Sequence, residues 1–262
     1  MVAARRQPAP EAPLIVEFTS ALRQYQSRRR SAREGGAPLF ELESWLTSTV
    51  EAPRKICEIG LNAGESATAW LCAFPQATYV GFDLMQYNAS IDAASWLKWA
   101  FPGRVRVVAG DTAVTLPQYV STHAGSCDVL SIDGGHGFDI AYSDLSHFRR
   151  LARGERHVLL MDDLRCPHWW CKPPTAAWHV FAASGAVIER GCVISGCCVG
   201  WCWGQFNLSA APPDVAGLCR SGSSAAARRR GSGNISEREC IAKLSQVPPF
   251  RLLPRVERFV GR

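Results

Sequence analysis

From Lys55 onward, short apolar runs alternate with longer stretches in which apolar residues recur every three or four positions. Short apolar runs are typical of buried strands, and the longer periodic stretches are typical of amphipathic helices. The pattern predicts five strands, over residues 55–59, 77–82, 105–108, 128–132 and 157–161. It predicts helices after the first four of these strands, over residues 64–74, 90–101, 112–119 and 139–151.

Strands that are apolar on both faces and alternate with helices predict a mostly parallel sheet covered by helices on each side. Two later strand-like stretches, residues 186–189 and 200–206, have no long helix between them, which favours an antiparallel pair at one edge. The predicted fold class is therefore α/β, a doubly wound, mostly parallel Rossmann-like sheet with an antiparallel edge pair. Ligands of such sheets bind beyond the carboxyl ends of the strands, so the polar residues there become the functional candidates.

Charge divides the 262-residue chain into three segments, although its formal net charge is only +6. Residues 1–36 hold seven basic and three acidic residues, 37–207 hold twelve and sixteen, and 208–262 hold ten and four. Both ends are rich in arginine and in small or polar residues that bury little apolar area, so we expect two basic, largely disordered arms around one domain over 37–207. No nucleic-acid-binding motif accompanies the arginine runs, so solvated arms are favoured over nucleic-acid binding.

No run of 18 apolar residues and no signal-type amino terminus are recognisable, so we expect no membrane span and an intracellular, cytoplasmic protein, with organelle import left open. Eleven cysteines are present. Six of them crowd together, at Cys166, Cys171, Cys192, Cys197, Cys198 and Cys202. Their spacing does not match a zinc site, and a reducing compartment disfavours disulfides, so we expect buried thiols.

The first predicted strand ends in a turn that differs from a dinucleotide-binding motif. Gly60 and Gly64 flank the turn, and Asn62 stands where that motif needs its second glycine. Glu58 would repel a phosphate at this place. The turn, with Ser66 just after it, therefore favours a ligand that lacks phosphates and carries positive charge.

The next two strands end in residues suited to the rest of a nucleoside. Asp83, at the end of the second strand, is placed to accept hydrogen bonds from the two hydroxyls of a ribose. Gly110, Asp111 and Thr112 follow the third strand, where we expect them to line the site of the base.

These residues resemble the class I S-adenosylmethionine-dependent methyltransferases, over about residues 40–207 and most strongly over 55–164. The segment from Glu58 to Ser66 looks like the first motif of that family, and Asp83 matches its acidic ribose-binding position. The resemblance implies S-adenosylmethionine as the cofactor. The cofactor-binding residues that follow from both lines of reasoning are Glu58, Gly60, Asn62, Gly64, Ser66, Asp83, Gly110, Asp111, Thr112 and Asp133.

A narrower resemblance links residues 131–136 and 159–163 to the metal-dependent O-methyltransferases of the catechol, other small-molecule and sugar types. In those relatives an acidic residue after the fourth strand and an acidic pair after the fifth hold a divalent cation. Asp133, Asp162 and Asp163 match these positions, which implies a metal site for Mg²⁺ or another divalent cation. Mg²⁺ prefers oxygen ligands and keeps waters that a diol can displace.

His136 stands three residues after Asp133, where the catechol-type relatives carry a lysine base. Because histidine accepts protons near neutral pH, His136 is the candidate catalytic base. The favoured function is methylation of a hydroxyl group on a small molecule with metal assistance. Two alternatives stay open: a noncatalytic cofactor-binding protein on the same fold, and a nucleic-acid methyltransferase that docks through its basic arms.

Each of these strand-end residues also has a structural alternative. Asp133 could hold the turn at Gly134, the pair Asp162 and Asp163 could cap a helix, and His136 could donate to a backbone carbonyl. Beyond them, we expect the loop over residues 165–175, which contains Trp169 and Trp170, to determine the choice of substrate.

Overall fold

The computed structural model describes residues 53–195 and 199–214 of the chain. The strands in these residues are β1 (Lys55–Ile59), β2 (Thr78–Asp83), β3 (Val105–Ala109), β4 (Val129–Ile132), β5 (Val158–Met161), β6 (Val187–Ser195) and β7 (Val199–Phe206). The α-helices are α1 (Glu65–Ala73), α2 (Asn88–Ala100), α3 (Thr112–His123), α4 (Phe138–Leu151) and α5 (Lys172–Ala183). Two short 3₁₀ helices, Gly154–Arg156 and Trp169–Cys171, flank β5 and its following loop.

The seven strands form one sheet in the order β3-β2-β1-β4-β5-β7-β6. The first five strands of this order run parallel, whereas β7 is antiparallel to both β5 and β6. The predicted fold class, with its antiparallel edge pair, is therefore confirmed. Because the chain leaves β1 toward β2 on one side and later returns to β4 on the other, the switch point of the sheet lies between β1 and β4.

Helices cover both faces of the sheet, which explains why the central strands are apolar at nearly every position. On one face, Phe148 of α4 and Trp178 of α5 pack with Phe82 of β2 in a fully buried cluster. On the other face, Trp70 of α1 and Leu97 of α2 pack against the opposite side of the same strands. Alternate residues of each strand thus belong to different cores.

The edge pair is longer than the sequence pattern predicted, since β6 continues past Glu189 to Ser195. A register shift between Glu189 and Gly191 interrupts the pairing of β6 with β7. Gly191 has no side chain, and a Cβ there would lie 2.5 Å from the ring of Trp203. The irregularity breaks the alternation of polar and apolar residues, so periodicity alone could not follow the strand across it.

Six of the described cysteines form three disulfides, Cys57–Cys127, Cys166–Cys171 and Cys192–Cys202. The expectation of buried thiols is therefore wrong for these residues. The physical reason is strand order: β1 lies beside β4, and Cys192 faces Cys202 directly across the β6–β7 pair. Cys197 and Cys198 lie outside the described residues.

The folded unit extends beyond residue 207. The guanidinium of Arg149 on α4 donates to the carbonyls of Asn207, Leu208 and Ala210, and Tyr142 donates to the carbonyl of Pro213. The expected amino-terminal arm, residues 1–36, and most of the expected carboxyl-terminal arm lie outside the described residues. Among the helices in the described part of the chain, none is long and apolar enough to cross a membrane.

Candidate functional site

Backbone hydrogen bonds hold the carboxyl ends of five parallel strands side by side. Each bond joins an amide just beyond one strand to a carbonyl at the end of its neighbour, at distances of 2.8 to 2.9 Å. The bonds run from Gly110 to Asp83, from Gly60 to Phe82, from Asp133 to Ile59 and from Asp162 to Ile132. The structure therefore brings the predicted strand-end residues to one edge of the sheet.

Two positions of the turn after β1 favour glycine, because both have positive φ angles and one also lies close to a neighbouring backbone. Gly60 has a φ of 90°, and a Cβ on it would lie only 1.8 Å from the backbone oxygen of Asp133. Gly64 has a φ of 76° and begins α1, with Ser66 in its first turn. Between them, exposed Asn62 has a φ of 45°, a left-handed conformation that asparagine tolerates better than most residues. The turn thus presents mostly backbone close to the end of β4.

Asp83 ties the end of β2 to this turn. Its Oδ2 accepts hydrogen bonds from the backbone amides of Leu61 at 2.9 Å and Asn62 at 3.0 Å. Its Oδ1 accepts a 2.6 Å bond from the amide of Met85. The predicted ribose-binding carboxylate therefore also fixes the conformation of the turn.

Glu58 is placed beneath the turn, where it is 1% exposed. Tyr79 of β2 donates its hydroxyl to Oε2 of Glu58 at 2.5 Å. Burial raises the pKa of Glu58 to about 7, and hydrogen bonds from Tyr79, Ser66, Trp70 and Ser131 oppose that rise. The carboxylate of Glu58 is therefore surrounded by side chains of the protein and does not reach the surface.

Beyond β3, Asp111 accepts a 2.9 Å bond from the amide of Ala113 and so caps α3, which begins at Thr112. Asp144 of α4 is 1% exposed, and a Cβ on Gly134 would lie 3.3 Å from its Oδ2. Burial raises the pKa of Asp144 to about 7, and the hydroxyl of Thr112 opposes the rise. Gly110, with a φ of 127°, makes the bend between β3 and the cap.

The ends of β4 and β5 line a small pocket. Its walls come from residues 132–136, residues 161–163 and Pro174 of α5. Burial raises the pKa of Asp133 well above its usual range, and the charges of Asp162 and Asp163 raise it further. Burial likewise raises the pKa of Asp162 to about 7. The three predicted metal-binding carboxylates therefore share one pocket and repel one another there.

His136 contacts one of these carboxylates. Its Nε2 lies 2.5 Å from Oδ2 of Asp163, with the two side chains 34% and 17% exposed. Asp163 has a φ of 56°, which is unusual for a residue with a side chain and marks a constrained backbone at the pocket. The structure therefore pairs the predicted base with one predicted metal ligand, while Asp133 and Asp162 line the same pocket.

The chemistry of this donor set fits a hard divalent cation. Asp133, Asp162 and Asp163 offer only carboxylate oxygens, which is the ligand type that Mg²⁺ prefers. Burying several like charges together is unfavourable without a counter-charge, and a cation would supply that charge.

Among the described residues, the group of three metal-type side chains whose ligand atoms all lie within 4.8 Å of one another is Glu189, Cys192 and Cys202, at the edge pair. Cys192 and Cys202 form a disulfide, and Glu189 accepts two bonds from the guanidinium of Arg165, at 2.8 and 2.6 Å. The indole of Trp178 donates a further bond to Glu189. This group is therefore a structural anchor for the loop that begins at Arg165.

That loop, predicted to determine substrate choice, leaves the pocket after Asp163. The Cys166–Cys171 disulfide closes it, and Trp169 at its tip is 70% exposed. The rings of His168 and Trp170 stack with centroids 4.1 Å apart. The loop leads into α5, whose Pro174 lines the pocket.

The sequence reasoning missed Tyr79 and Asp144, which contribute polar groups near the site from inside the core. Gly81, two residues after Tyr79 on the same face of β2, is visible in the sequence, but its place directly opposite Glu58 follows only from the strand register. The phenol ring lies over Gly81, where a Cβ would be 2.9 Å from it. Asp144 is one polar position on the apolar face of α4, which the pattern gave no reason to single out.

Residues 57–164 of the chain match a family model described as a methyltransferase domain. No curated protein matches the sequence.

Several solved structures share the fold. The O-methyltransferase TomG from Streptomyces achromogenes, involved in tomaymycin synthesis and solved with SAM, is 16% identical, with a TM-score of 0.58 over 75% of this chain and 90% of its own. The SAH-bound methyltransferase PaMTH1 from Podospora anserina is 18% identical, with a TM-score of 0.58 over 75% and 89%. An O-methyltransferase from Bacillus cereus with SAH is 15% identical, with a TM-score of 0.59 over 74% and 91%.

The matched segment begins within β1 and includes β2, β3, β4 and β5. The match ends at Leu164, just after the acidic pair that follows β5, so it spans the strand-end residues described above. The chain therefore shares the fold of these methyltransferases, and the predicted class I fold is confirmed.

Proposed function

We propose that the chain is an S-adenosylmethionine-dependent O-methyltransferase that methylates a hydroxyl group of a small molecule with the help of a divalent cation. The observation that carries this proposal is the pocket in which Asp133, Asp162, Asp163 and His136 lie together. Gly60 approaches the backbone of Asp133 closely, so the glycine turn and the pocket adjoin. A methyl donor at the turn and an acceptor in the pocket would therefore be neighbours.

The cofactor side of the site offers the groups that a nucleoside with a sulfonium needs. The glycine turn supplies a surface of backbone, and Asp83 keeps unused lone pairs, since a carboxylate has about four and three are engaged here. Asp83 would accept a further hydrogen bond from a ribose hydroxyl, and Asp111 and Thr112 would border the base. S-adenosylmethionine supplies a methyl group activated by its positively charged sulfur.

On the acceptor side, Asp133, Asp162 and Asp163 would hold the cation. A bound divalent cation supplies positive charge that lowers the pKa of the acceptor hydroxyl. The three carboxylates would hold that charge at the junction of β4 and β5. Pro174 and the loop after Asp163 would limit the shape of the acceptor.

His136 would remove the proton of the acceptor hydroxyl. With its Nε2 proton donated to Asp163, the imidazole carries its lone pair on Nδ1, and that atom accepts the proton. The oxygen–carbon bond forms as the sulfur–carbon bond breaks, and Asp163 stabilises the imidazolium that results. Asp163 would thus serve both the cation and the base.

Methyl transfer from S-adenosylmethionine to a panel of catechols and sugars, detected by mass spectrometry, tests the proposal. We expect a product that requires added Mg²⁺ and disappears with EDTA. Asp162→Asn should reduce kcat by about 100-fold, comparable to loss of a metal or acid–base function. Asp139→Asn is the matched control, because Asp139 is exposed on the first turn of α4, and it should leave kcat unchanged.

Other outcomes separate the parts of the proposal. Cofactor binding without turnover of any acceptor would favour a noncatalytic role. Turnover that survives both EDTA and Asp133→Ala would remove the cation, and methylation of nucleic acid alone would change the substrate class.

A further inference from the structure

The contact between Tyr79 and Glu58 joins two buried polar groups of neighbouring strands. Both side chains are 1% exposed, and the hydroxyl and carboxylate oxygens are 2.5 Å apart. The contact depends on Gly81, which pairs with Glu58 in the register and leaves room for the phenol ring to lie along β2. Larger residues at position 81 would occupy the space through which Tyr79 reaches Glu58.

The charge of Glu58 acts beyond its own contacts. Glu58 lies two residues before Gly60 at the end of β1, and its charge contributes to the raised pKa of Asp133 in the pocket. Low-dielectric surroundings screen such a charge less than water does. A negative charge on Glu58 is therefore felt at the turn and at the pocket, although the carboxylate does not reach the surface.

We propose that Tyr79 is a positioning residue whose hydroxyl favours the negatively charged form of Glu58 beneath the glycine turn, so that the site favours the sulfonium cofactor over its neutral thioether product. This inference rests on the proposed function, because it requires that S-adenosylmethionine binds at the turn. S-adenosylmethionine and S-adenosylhomocysteine differ by one methyl group and one positive charge at sulfur. The negative charge of Glu58 therefore stabilises the bound sulfonium but not the bound thioether.

The proposal predicts how this preference depends on pH. Glu58 becomes charged as the pH rises through its pKa of about 7, so the preference for the sulfonium should increase over that range. Tyr79 stays protonated, since burial and the charge of Glu58 raise its pKa well above the usual value, as does the charge of Asp83. The other groups facing Glu58 are Ser66 and Trp70 of α1, Ser131 of β4 and, through space, Asp133.

Calorimetry on the full chain with each ligand, from pH 6 to pH 8.5, tests this proposal. The readout is the Kd for S-adenosylhomocysteine divided by the Kd for S-adenosylmethionine. Between pH 6 and pH 8.5, we expect this ratio to rise about fivefold more in the wild type than in Glu58→Gln. The variant loses the carboxylate of Glu58 but keeps the titrating carboxylates of the pocket. In Tyr79→Phe the rise should move to higher pH, so that the ratio at pH 7 falls about threefold.

Tyr142→Phe is the matched control, since it also removes one tyrosine hydroxyl, which donates to the carbonyl of Pro213 and not to Glu58. It should leave the ratio and its pH profile unchanged. A general disturbance of the fold weakens both ligands together and does not shift the ratio. As a second measurement, 3-fluorotyrosine at position 79 keeps both the ring and the hydroxyl. Its hydroxyl is a stronger hydrogen-bond donor, so the rise in the ratio should move to lower pH.

Distinct results overturn distinct claims. If the wild type binds neither ligand, the proposed cofactor fails and this inference fails with it. If both ligands bind but the ratio has the same pH profile in the wild type and Glu58→Gln, the charge of Glu58 has no such role. If Glu58→Gln flattens the profile while Tyr79→Phe and 3-fluorotyrosine leave it unchanged, Tyr79 is not the positioning residue.

Discussion

The carboxylates at the ends of β1 and β2 are held by hydrogen bonds to separate parts of the protein, whereas those at the ends of β4 and β5 share one pocket, where the amide of Asp163 donates to Asp162 and His136 contacts Asp163. Asp83 accepts three backbone amides and Glu58 accepts the hydroxyl of Tyr79. In the pocket, burial raises the pKa of Asp133, and the charges of Asp162 and Asp163 raise it further.

This difference separates two physical roles for the same residue type. Carboxylates whose acceptor sites are filled by the protein hold the backbone in one conformation before any ligand arrives. Carboxylates that repel each other raise the free energy of the ligand-free protein, and a cation that relieves the repulsion binds more tightly for that reason. The region around the glycine turn is thus held in place by the protein's own hydrogen bonds, and the pocket region crowds several carboxyl groups together.

The largest effect should come from Gly60→Ala, because Gly60 joins the two regions. A Cβ there would lie 1.8 Å from the backbone oxygen of Asp133, and the residue has a φ of 90°. We expect a loss of about 4 kcal/mol in the free energy of unfolding, measured by denaturant titration. Gly154→Ala is the control, since Gly154 has a φ of 54° and nothing within 4 Å of a Cβ, and it should cost about 1 kcal/mol. Equal losses at the two sites would show that the regions are not in close contact.

A smaller effect is expected from the carboxyl group of Glu58, which should make the free energy of unfolding depend on pH. Its pKa is about 7 in the folded protein, above the unfolded value near 4.5, so folding favours the protonated form. Its stabilisation is complete below about pH 4.5 and is lost as the pH rises through 7. We expect the wild type to lose about 3 kcal/mol relative to Glu58→Gln between pH 4 and pH 8, by chemical denaturation at each pH. Parallel pH profiles for the two proteins would contradict the buried position of this carboxylate.

Asp83→Asn tests the region around the glycine turn directly. Asparagine is neutral and accepts on only one oxygen, so the charge-assisted bonds to the turn weaken. We expect a loss of about 2 kcal/mol in the free energy of unfolding. Asp92→Asn, at an exposed position of α2, should change stability by less than about 0.5 kcal/mol. If both variants behave alike, the amide contacts of Asp83 do not stabilise the turn.

In the pocket, replacing a carboxylate should raise the free energy of unfolding rather than lower it. Asp162→Asn removes one of several mutually repelling charges, so in EDTA at pH 8 it should raise the free energy of unfolding by about 1 kcal/mol. Millimolar Mg²⁺ should stabilise the wild type and cancel this gain, as thermal unfolding would show. Destabilisation by Asp162→Asn in EDTA would mean that the pocket carboxylates stabilise the fold as those of the other region do.

Much of the fold followed from the local pattern. The five parallel strands lie where short apolar runs occur, because strands covered by helices on both faces need apolar side chains in both directions. The same reasoning placed Asp83, Asp111, Asp133 and the pair after β5 at the ends of strands. Strand ends are local features, so spacing along the chain was sufficient to find them.

The remaining features depend on neighbours that are distant in sequence. Cys57 and Cys127 meet because β1 lies beside β4, and the order of strands is not written in either segment. The contact of Tyr79 with Glu58 depends on the register that places Gly81 opposite Glu58. Sequence spacing does not specify register, so neither contact could be predicted.

The sequence by itself determined the alternation of elements, the glycine turn and the row of acidic residues at successive strand ends. These depend on periodicity and backbone conformation, which act over a few residues. The tertiary structure decided which of those carboxylates hold the glycine turn and which crowd together in a shared pocket. Solvation and charge act through space, so the surroundings of a side chain, and with them its pKa and its role, are fixed only when the strands are placed side by side.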